Sequence, residues 1–258
     1  YMLCSTVDDI DFGITHIIRG SDHISNTAIQ YKLFQVLGSK MPEFAHMALF
    51  KTKEAKISKR EGGHDVAALR DAGIEPMTIL SYLARLGSSQ PVEPFMSLED
   101  LIKNFSISKL GKAAVIYDPE FVYGFNHKIL VHLSFEEVVK KLDIKGLDKN
   151  FWEIVKFNVN SLEEAKNWWE ICHAVVNPII EDKDYLELAA KLLPQNLNEQ
   201  SWDIWTNDLK IQTERKGKDL FMPLRKAITG QAHGPELRFL LPLIGYDKVV
   251  KRLKGLSA

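Results

Sequence analysis

Two four-residue stretches, Ser134-Phe135-Glu136-Glu137 and Ser161-Leu162-Glu163-Glu164, carry the same helix-opening signature. In each, the serine oxygen can accept an orphaned amide hydrogen three residues on. The glutamate at that position can reach back to the serine's own amide. Such reciprocal caps commit the chain to helix wherever they fall, and weaker ones precede them. Asp65 is placed to cap a short helix that Gly73 stops, and Pro76 sits in the first turn of a helix over 75–86 that Gly87 ends. Ser97-Leu98-Glu99-Asp100 is a box with aspartate at its last position, and Asp118-Pro119 opens a helix to Leu130. Further helices are predicted over 183–193, 199–213, 219–229, 235–243 and 247–253, and no confident strand is expected after Asp65.

The opening stretch has a different texture. Residues 1–7 read as a buried strand, 8–13 as an acidic turn and 15–18 as a second, β-branched strand. Ser25-Asn26 starts an amphipathic helix that Gly38 ends, and 47–50 reads as a third short strand. Boundaries are expected near Gly62-Gly63 and Lys145-Gly146, giving an α/β portion (1–62) followed by two mainly α-helical portions (63–145 and 146–258). A chain that opens inside a core strand is read as the back portion of a longer protein.

The 258 residues carry a formal net charge of −1, so no global basic field exists. Any nucleic-acid binding must come from local patches and weaken with salt. Cys4 and Cys172 have no C-x-x-C partners, which disfavours a disulfide framework and bound zinc and fits two buried, reduced thiols in a cytoplasmic protein. No apolar run reaches membrane-spanning length, so no membrane partner is expected, and nothing demands more than a monomer.

Lys56-Ile57-Ser58-Lys59-Arg60 is the segment hardest to explain as packing. An ammonium on a long stem can follow a phosphate as it moves. Lys56 and Lys59 are placed to neutralise charge on a leaving pyrophosphate, with Ser58 and backbone amides adding hydrogen bonds. There is no G-x-x-x-x-G-K-[ST] motif, which excludes a P-loop. Taken alone, five such residues read first as a solvated basic loop. Arg19-Gly20-Ser21-Asp22-His23 follows a strand and precedes a helix, where ligands gather in open parallel sheets. Arg19 can grip a carboxylate there or pair with Asp8, Asp9 or Asp11, and His23 can be a helix-entry hydrogen bonder. The acidic cluster reads as a turn before it reads as a Mg²⁺ site. Among the helices, Lys210, Arg215, Lys216, Lys218, Arg225 and Lys226 form one basic stretch and Lys248, Lys251, Arg252 and Lys254 a second face. Both are candidates for an RNA surface. Most of the tryptophans are expected in the core.

Together these segments resemble the bacterial-type glutamyl-tRNA synthetases, within the class I aminoacyl-tRNA synthetases. Residues 13–27, G-I-T-H-I-I-R-G-S-D-H-I-S-N-T, are similar to the family's G-I-T-H-V-I-R-G-x-D-H-x-x-N-T. Phe44-Ala45-His46-Met47-Ala48-Leu49 resembles the lead-in to the second signature, and Lys56–Arg60 resembles that signature, K-M-S-K-S in general form. Tyr1 to Asp9, the stretch Pro223 to Gly230 and Gly234-Pro235-Glu236-Leu237 also look like family segments. The likeness spans nearly the whole chain.

The resemblance implies a remnant of a Rossmann-type catalytic domain, then helical stem-contact and anticodon-binding domains. It implies ATP-dependent activation of L-glutamate to glutamyl-adenylate and transfer to the 3′ end of tRNA. ATP would enter as its Mg²⁺ complex, and the partner would be tRNA-Glu, with tRNA-Gln also charged if the enzyme is non-discriminating. Carried over by position, Lys56 and Lys59 would be catalytic. Leu49, Asp22, His23, Lys56, Ser58 and Lys59 would meet ATP, and Tyr1, Ser5 and Arg19 would meet glutamate. Ser5 stands where some relatives place asparagine. The family's first signature, H-I-G-H in general form, is absent, so the chain alone is expected to bind tRNA without forming adenylate. The competing reading is a non-catalytic tRNA-binding fragment.

Overall fold

A parallel strand pair organises the first stretch of the chain. β1 (His16–Gly20) runs beside β2 (Glu43–Met47), with Arg19 opposite His46 and Gly20 opposite Met47. Parallel strands need a crossover, and α2 (Ile24–Val36) supplies it. Helix α1 (Met2–Asp11) packs on α2, with Thr6 buried. A second parallel pair joins β3 (Phe50–Lys51) to β4 (Val115–Ile116). Between them lie α3 (Val66–Asp71), α4 (Pro76–Arg85) and α5 (Leu98–Asn104), and α6 (Pro119–Leu130) follows. This computed structural model describes residues 1–51 and 65–258, which divide into units 1–125 and 126–258.

Three sequence expectations fail in the first unit. The strand expected over 47–50 does not form: β2 ends at Met47, β3 starts at Phe50, and Ala48 and Leu49 lie between them. Residues 1–7 were expected as a strand and 8–13 as an acidic turn, yet α1 runs through Asp11. A short apolar run cannot be told from a helix by periodicity alone. Here Ser5 and Thr6 both donate hydroxyl hydrogens back to the Met2 carbonyl, a helical pattern, and the helix buries Thr6. A strand also occurs after Asp65. Val115 and Ile116 form β4, too short to show alternation, and pair with Phe50 and Lys51. The unit's small core gathers Leu69, Ile74, Tyr82, Tyr117 and Val122.

The second unit is helical among its described residues: α7 (Phe135–Leu142), α8 (Lys149–Val155), α9 (Leu162–His173), α10 (Lys183–Leu192), α11 (Glu199–Thr213), α12 (Gly217–Thr229), α13 (Leu237–Ile244) and α14 (Tyr246–Leu253). Trp152, Trp205, Leu186, Leu209 and Leu224 lie at its centre. The Ser134 box closes in both directions: Ser134 Oγ accepts from the Glu137 amide and Glu137 Oε2 accepts from the Ser134 amide at 2.9 Å. At α9 only half of the box forms, because Glu164 takes the Asn160 amide instead. A further box, Asn198 with Ser201, opens α11.

The expected second basic face does not form as read. Lys251 and Lys254 are exposed, but Arg252 is wholly buried. Its guanidinium donates to the carbonyls of Ile171, Ala174, Ile228 and Ala258. Lys248 Nζ donates to the carbonyls of Cys172 and His173. The final turn of a helix leaves carbonyls without intrahelical partners. Arg252 and Lys248 satisfy those of α9, and cations are favoured at that negative helix end.

Candidate functional site

The carboxyl end of β1 gathers the first group of candidates, where an open parallel sheet places its ligands. Gly20 closes the strand. A Cβ there would lie 2.4 Å from Asp22 Oδ1 and 3.1 Å from Leu49 Cδ2. The Asp22 carboxylate and the Leu49 side chain thus converge on a bare α-carbon, an approach that glycine permits. His23 follows in the same turn, with Nε2 3.8 Å from Asp22 Oδ2 and Nδ1 3.0 Å from Asn26 Nδ2.

Arg19 takes none of the acidic partners considered for it. Its Nη2 donates to Thr27 Oγ1 on α2, and its guanidinium lies 5.5 Å from the Phe44 ring centroid. Ser5 Oγ donates to the Met2 carbonyl and accepts from Gln30 Nε2, also on α2. Thr27 and Gln30 stand three residues apart and share one helix face. Arg19 and Ser5, from a strand and a helix well separated in sequence, are therefore moored to one stripe of α2. Tyr1 precedes α1 with its side chain exposed. Lys56, Ser58 and Lys59 lie outside the described residues.

The second group lies in the helical unit. Trp202 and Phe221 stack with centroids 5.8 Å apart and planes 22° apart, and Lys210 Nζ is 5.8 Å from the Phe221 centroid. These rings line a cleft of about 160 Å³ together with Arg225, Glu236, Leu237 and Arg238. Arg225 Nη2 donates to the Pro235 carbonyl at 2.9 Å, and Arg238 Nη2 donates to Asp203 Oδ1 at 2.7 Å. Arg225 Nη1 and Arg238 Nε are buried with no partner among the described residues. Burial also pulls the Arg225 guanidinium below its ordinary pKa, against the opposing pull of Glu236. Unpaired buried N–H groups of a cation are costly, and an acceptor-rich ligand relieves them. A larger cleft of about 630 Å³, lined by Ile154, Phe157, Asn158, Phe239 and Pro242 among others, shares Glu236 with the smaller one.

The basic stretch named from sequence divides by role. Arg215 is bound to Asp182 and lies 4.2 Å from the Tyr185 ring centroid, so its guanidinium is engaged within the fold. Arg225 is half-buried, as just described. Lys210, Lys216 and Lys218 are exposed. Sequence reading missed Phe221 and Arg238 and expected most of the tryptophans in the core without singling out Trp202. The available signal was their spacing along α11, α12 and α13, which shows nothing until the helices are packed.

The first unit's residues 1–121 match the family of class I tRNA synthetases (E and Q), catalytic domain, and residues 172–256 match the anticodon binding domain family. Residues 1–121 belong to the class I tRNA synthetase catalytic domain family. Within that class the chain's relatives are glutamate–tRNA ligases of bacteria. Glutamate–tRNA ligase 1 of Rickettsia bellii (strain OSU 85-389) is 48% identical over 260 residues, which cover 98% of this chain and 58% of the relative. The Rickettsia prowazekii (strain Madrid E) protein of the same name is 46% identical over 263 residues, covering 100% of this chain and 59% of the relative. The fold matches the crystal structure of glutamate-tRNA synthetase from Elizabethkingia anophelis with a TM-score of 0.73 at 22% identity, covering 98% of this chain and 58% of that one. This chain therefore spans under two thirds of the length of these relatives. No helix among the described residues is long and apolar enough to cross a membrane.

Proposed function

We propose that this chain is the part of a glutamate–tRNA ligase that holds glutamate, the nucleotide tail and the anticodon arm. In the longer protein, the glutamate α-carboxylate attacks the α-phosphate of Mg²⁺-bound ATP and pyrophosphate leaves. The 3′-terminal hydroxyl of tRNA-Glu then attacks the adenylate carbonyl and AMP leaves. Residues 1–62 contribute part of the catalytic domain, 63–145 the stem-contact domain and 146–258 the anticodon-binding domain. The setting is the cytoplasm.

The observation that carries this reading is one polypeptide with matches to a class I catalytic domain and to an anticodon-binding domain, nearly half identical to glutamate–tRNA ligases throughout. Site geometry adds support. Arg19, beyond a parallel strand, is suited to the side-chain carboxylate of glutamate. Asp22 and Leu49 around Gly20 would border the adenosine, with His23 beside them. Lys56 and Lys59 would draw charge off the departing pyrophosphate, helped by Ser58. In the helical unit, unpaired guanidinium N–H groups beside stacked aromatic rings suit splayed single-stranded bases and their phosphates. Lys210, Lys216 and Lys218 would add phosphate contacts.

Lys59→Ala in the full-length ligase tests the catalytic part. ATP–pyrophosphate exchange should collapse while thermal unfolding is unchanged, and undiminished exchange would overturn the assignment. The 258-residue chain alone is expected to bind tRNA-Glu at low salt and to show no exchange. Robust exchange by it, or no binding, counts against this division of labour.

A further inference from the structure

From the way Arg19 is held, we infer that Thr27 and His46 are positioning residues for glutamate recognition; this rests on the reading of Arg19 proposed above. Arg19 and His46 are register partners on the parallel strands β1 and β2. Their side chains meet at one atom, Thr27 Oγ1. Arg19 Nη2 donates to it, and His46 Nε2 lies 2.8 Å away. Thr27 Oγ1 also lies 3.1 Å from the His23 carbonyl, which can only accept.

A hydroxyl has one hydrogen and two lone pairs. The Thr27 hydrogen goes to the His23 carbonyl, one lone pair takes the Arg19 N–H, and the other is left for His46. His46 must therefore be the donor at Nε2, which fixes its tautomer. The hydroxyl is then fully used and cannot rotate away. It has become a rigid acceptor that pins one edge of the Arg19 guanidinium. Phe44, on the same strand as His46, lies 5.5 Å from that guanidinium and restrains its plane. Arg19 Nη1 makes no hydrogen bond to the described residues, and its Nε is buried without a partner there. Nη1, without a hydrogen bond among the described residues, is left to meet an incoming carboxylate in a fixed direction. A forked carboxylate contact depends on such orientation as well as on charge.

The test uses the full-length ligase and compares KM for glutamate, KM for ATP and kcat in ATP–pyrophosphate exchange. Thr27→Val keeps the shape and removes the acceptor. His46→Leu removes the donor, whereas His46→Gln can return one. Thr27→Val and His46→Leu should each raise KM for glutamate by about tenfold to a hundredfold. KM for ATP should stay put, and His46→Gln should recover most of the loss. A role in stability alone would lower the melting temperature and leave the glutamate KM unmoved, which overturns the inference. Equal loss in His46→Leu and His46→Gln also overturns it. Arg19→Ala separates the two layers. If it leaves the glutamate KM unchanged, the reading of Arg19 fails; if it raises that KM while Thr27→Val and His46→Leu do not, only the positioning inference fails.

Discussion

Arg215 lies face-on to Tyr185, its guanidinium carbon 4.2 Å from the ring centroid, while it also binds the Asp182 carboxylate. Asp182 is at once the N-cap of α10 and accepts from the Tyr185 amide at 3.1 Å. Arg215, just beyond α11, is thus tied to the start of α10. The hydrogen bond from Arg215, with the Tyr185 amide second, holds the Asp182 carboxyl below its ordinary pKa.

The pH dependence follows from that direction. A carboxyl with a depressed folded pKa stabilises the fold above its unfolded value, and this is lost as pH falls through the lower folded value. Arg215→Leu should cost about 1 kcal/mol at neutral pH, since the pair is partly solvated. The deficit against the parent should shrink below the ordinary aspartate pKa. Urea titrations across that range check this; a deficit independent of pH would assign the loss to packing on Tyr185 alone.

Arg252 should be among the most sensitive residues of the helical unit. Arg252→Met would leave the carbonyls of Ile171, Ala174 and Ile228 without their donor, at a cost of roughly 3 kcal/mol. Lysine should not rescue it, because a point ammonium cannot replace a fork that reaches several carbonyls. The measurement is the shift of the urea midpoint at constant slope.

The two thiols should separate cleanly. Cys172 is buried as expected, whereas Cys4, also expected to be buried, is exposed. Burial pushes the Cys172 thiol up to about 12, outweighing the opposing pull of Arg252 and Lys248. The thiolate is the reactive form. An alkylating reagent at neutral pH should therefore modify Cys4 in the native protein and Cys172 only after denaturation, as read by mass spectrometry.

In the aromatic cleft, charge and stacking should leave different signatures in the full-length ligase. Arg238→Gln should reduce the salt slope of tRNA binding by about one. Trp202→Ala should weaken binding by about 1–3 kcal/mol while leaving that slope unchanged. Fluorescence titrations over a range of salt concentrations distinguish the two. Identical slopes for Arg238→Gln and the parent would remove Arg238 from the RNA contact.

Much of the helical unit was legible because helix ends are set locally. The Ser134 box, the Gly230 end of α12 and the Asp182 to Leu193 boundaries depend on residues a few positions apart. The Gly20 turn and its neighbours Asp22 and Leu49 were also readable, through segments that resemble a known family. What misled was residues 1–7. Their apolar run suits a strand or a buried helix equally, and only packing against α2 decides.

The sequence by itself therefore determined the ends of most helices after Asp65, a strand near residues 15–18 and which charged residues could do chemistry; it misplaced the strands at 1–7 and 47–50. The tertiary structure alone decided which of those charges stay available. Arg252 and Arg225 look alike in sequence, each in the last half of a basic amphipathic helix. One is fully enclosed by carbonyls, and the other keeps a buried N–H at a cleft with no partner among the described residues. The reason is physical: caps act over one helical turn, whereas the partners of a guanidinium come from other elements, as far as 81 residues away for Arg252 and Ile171.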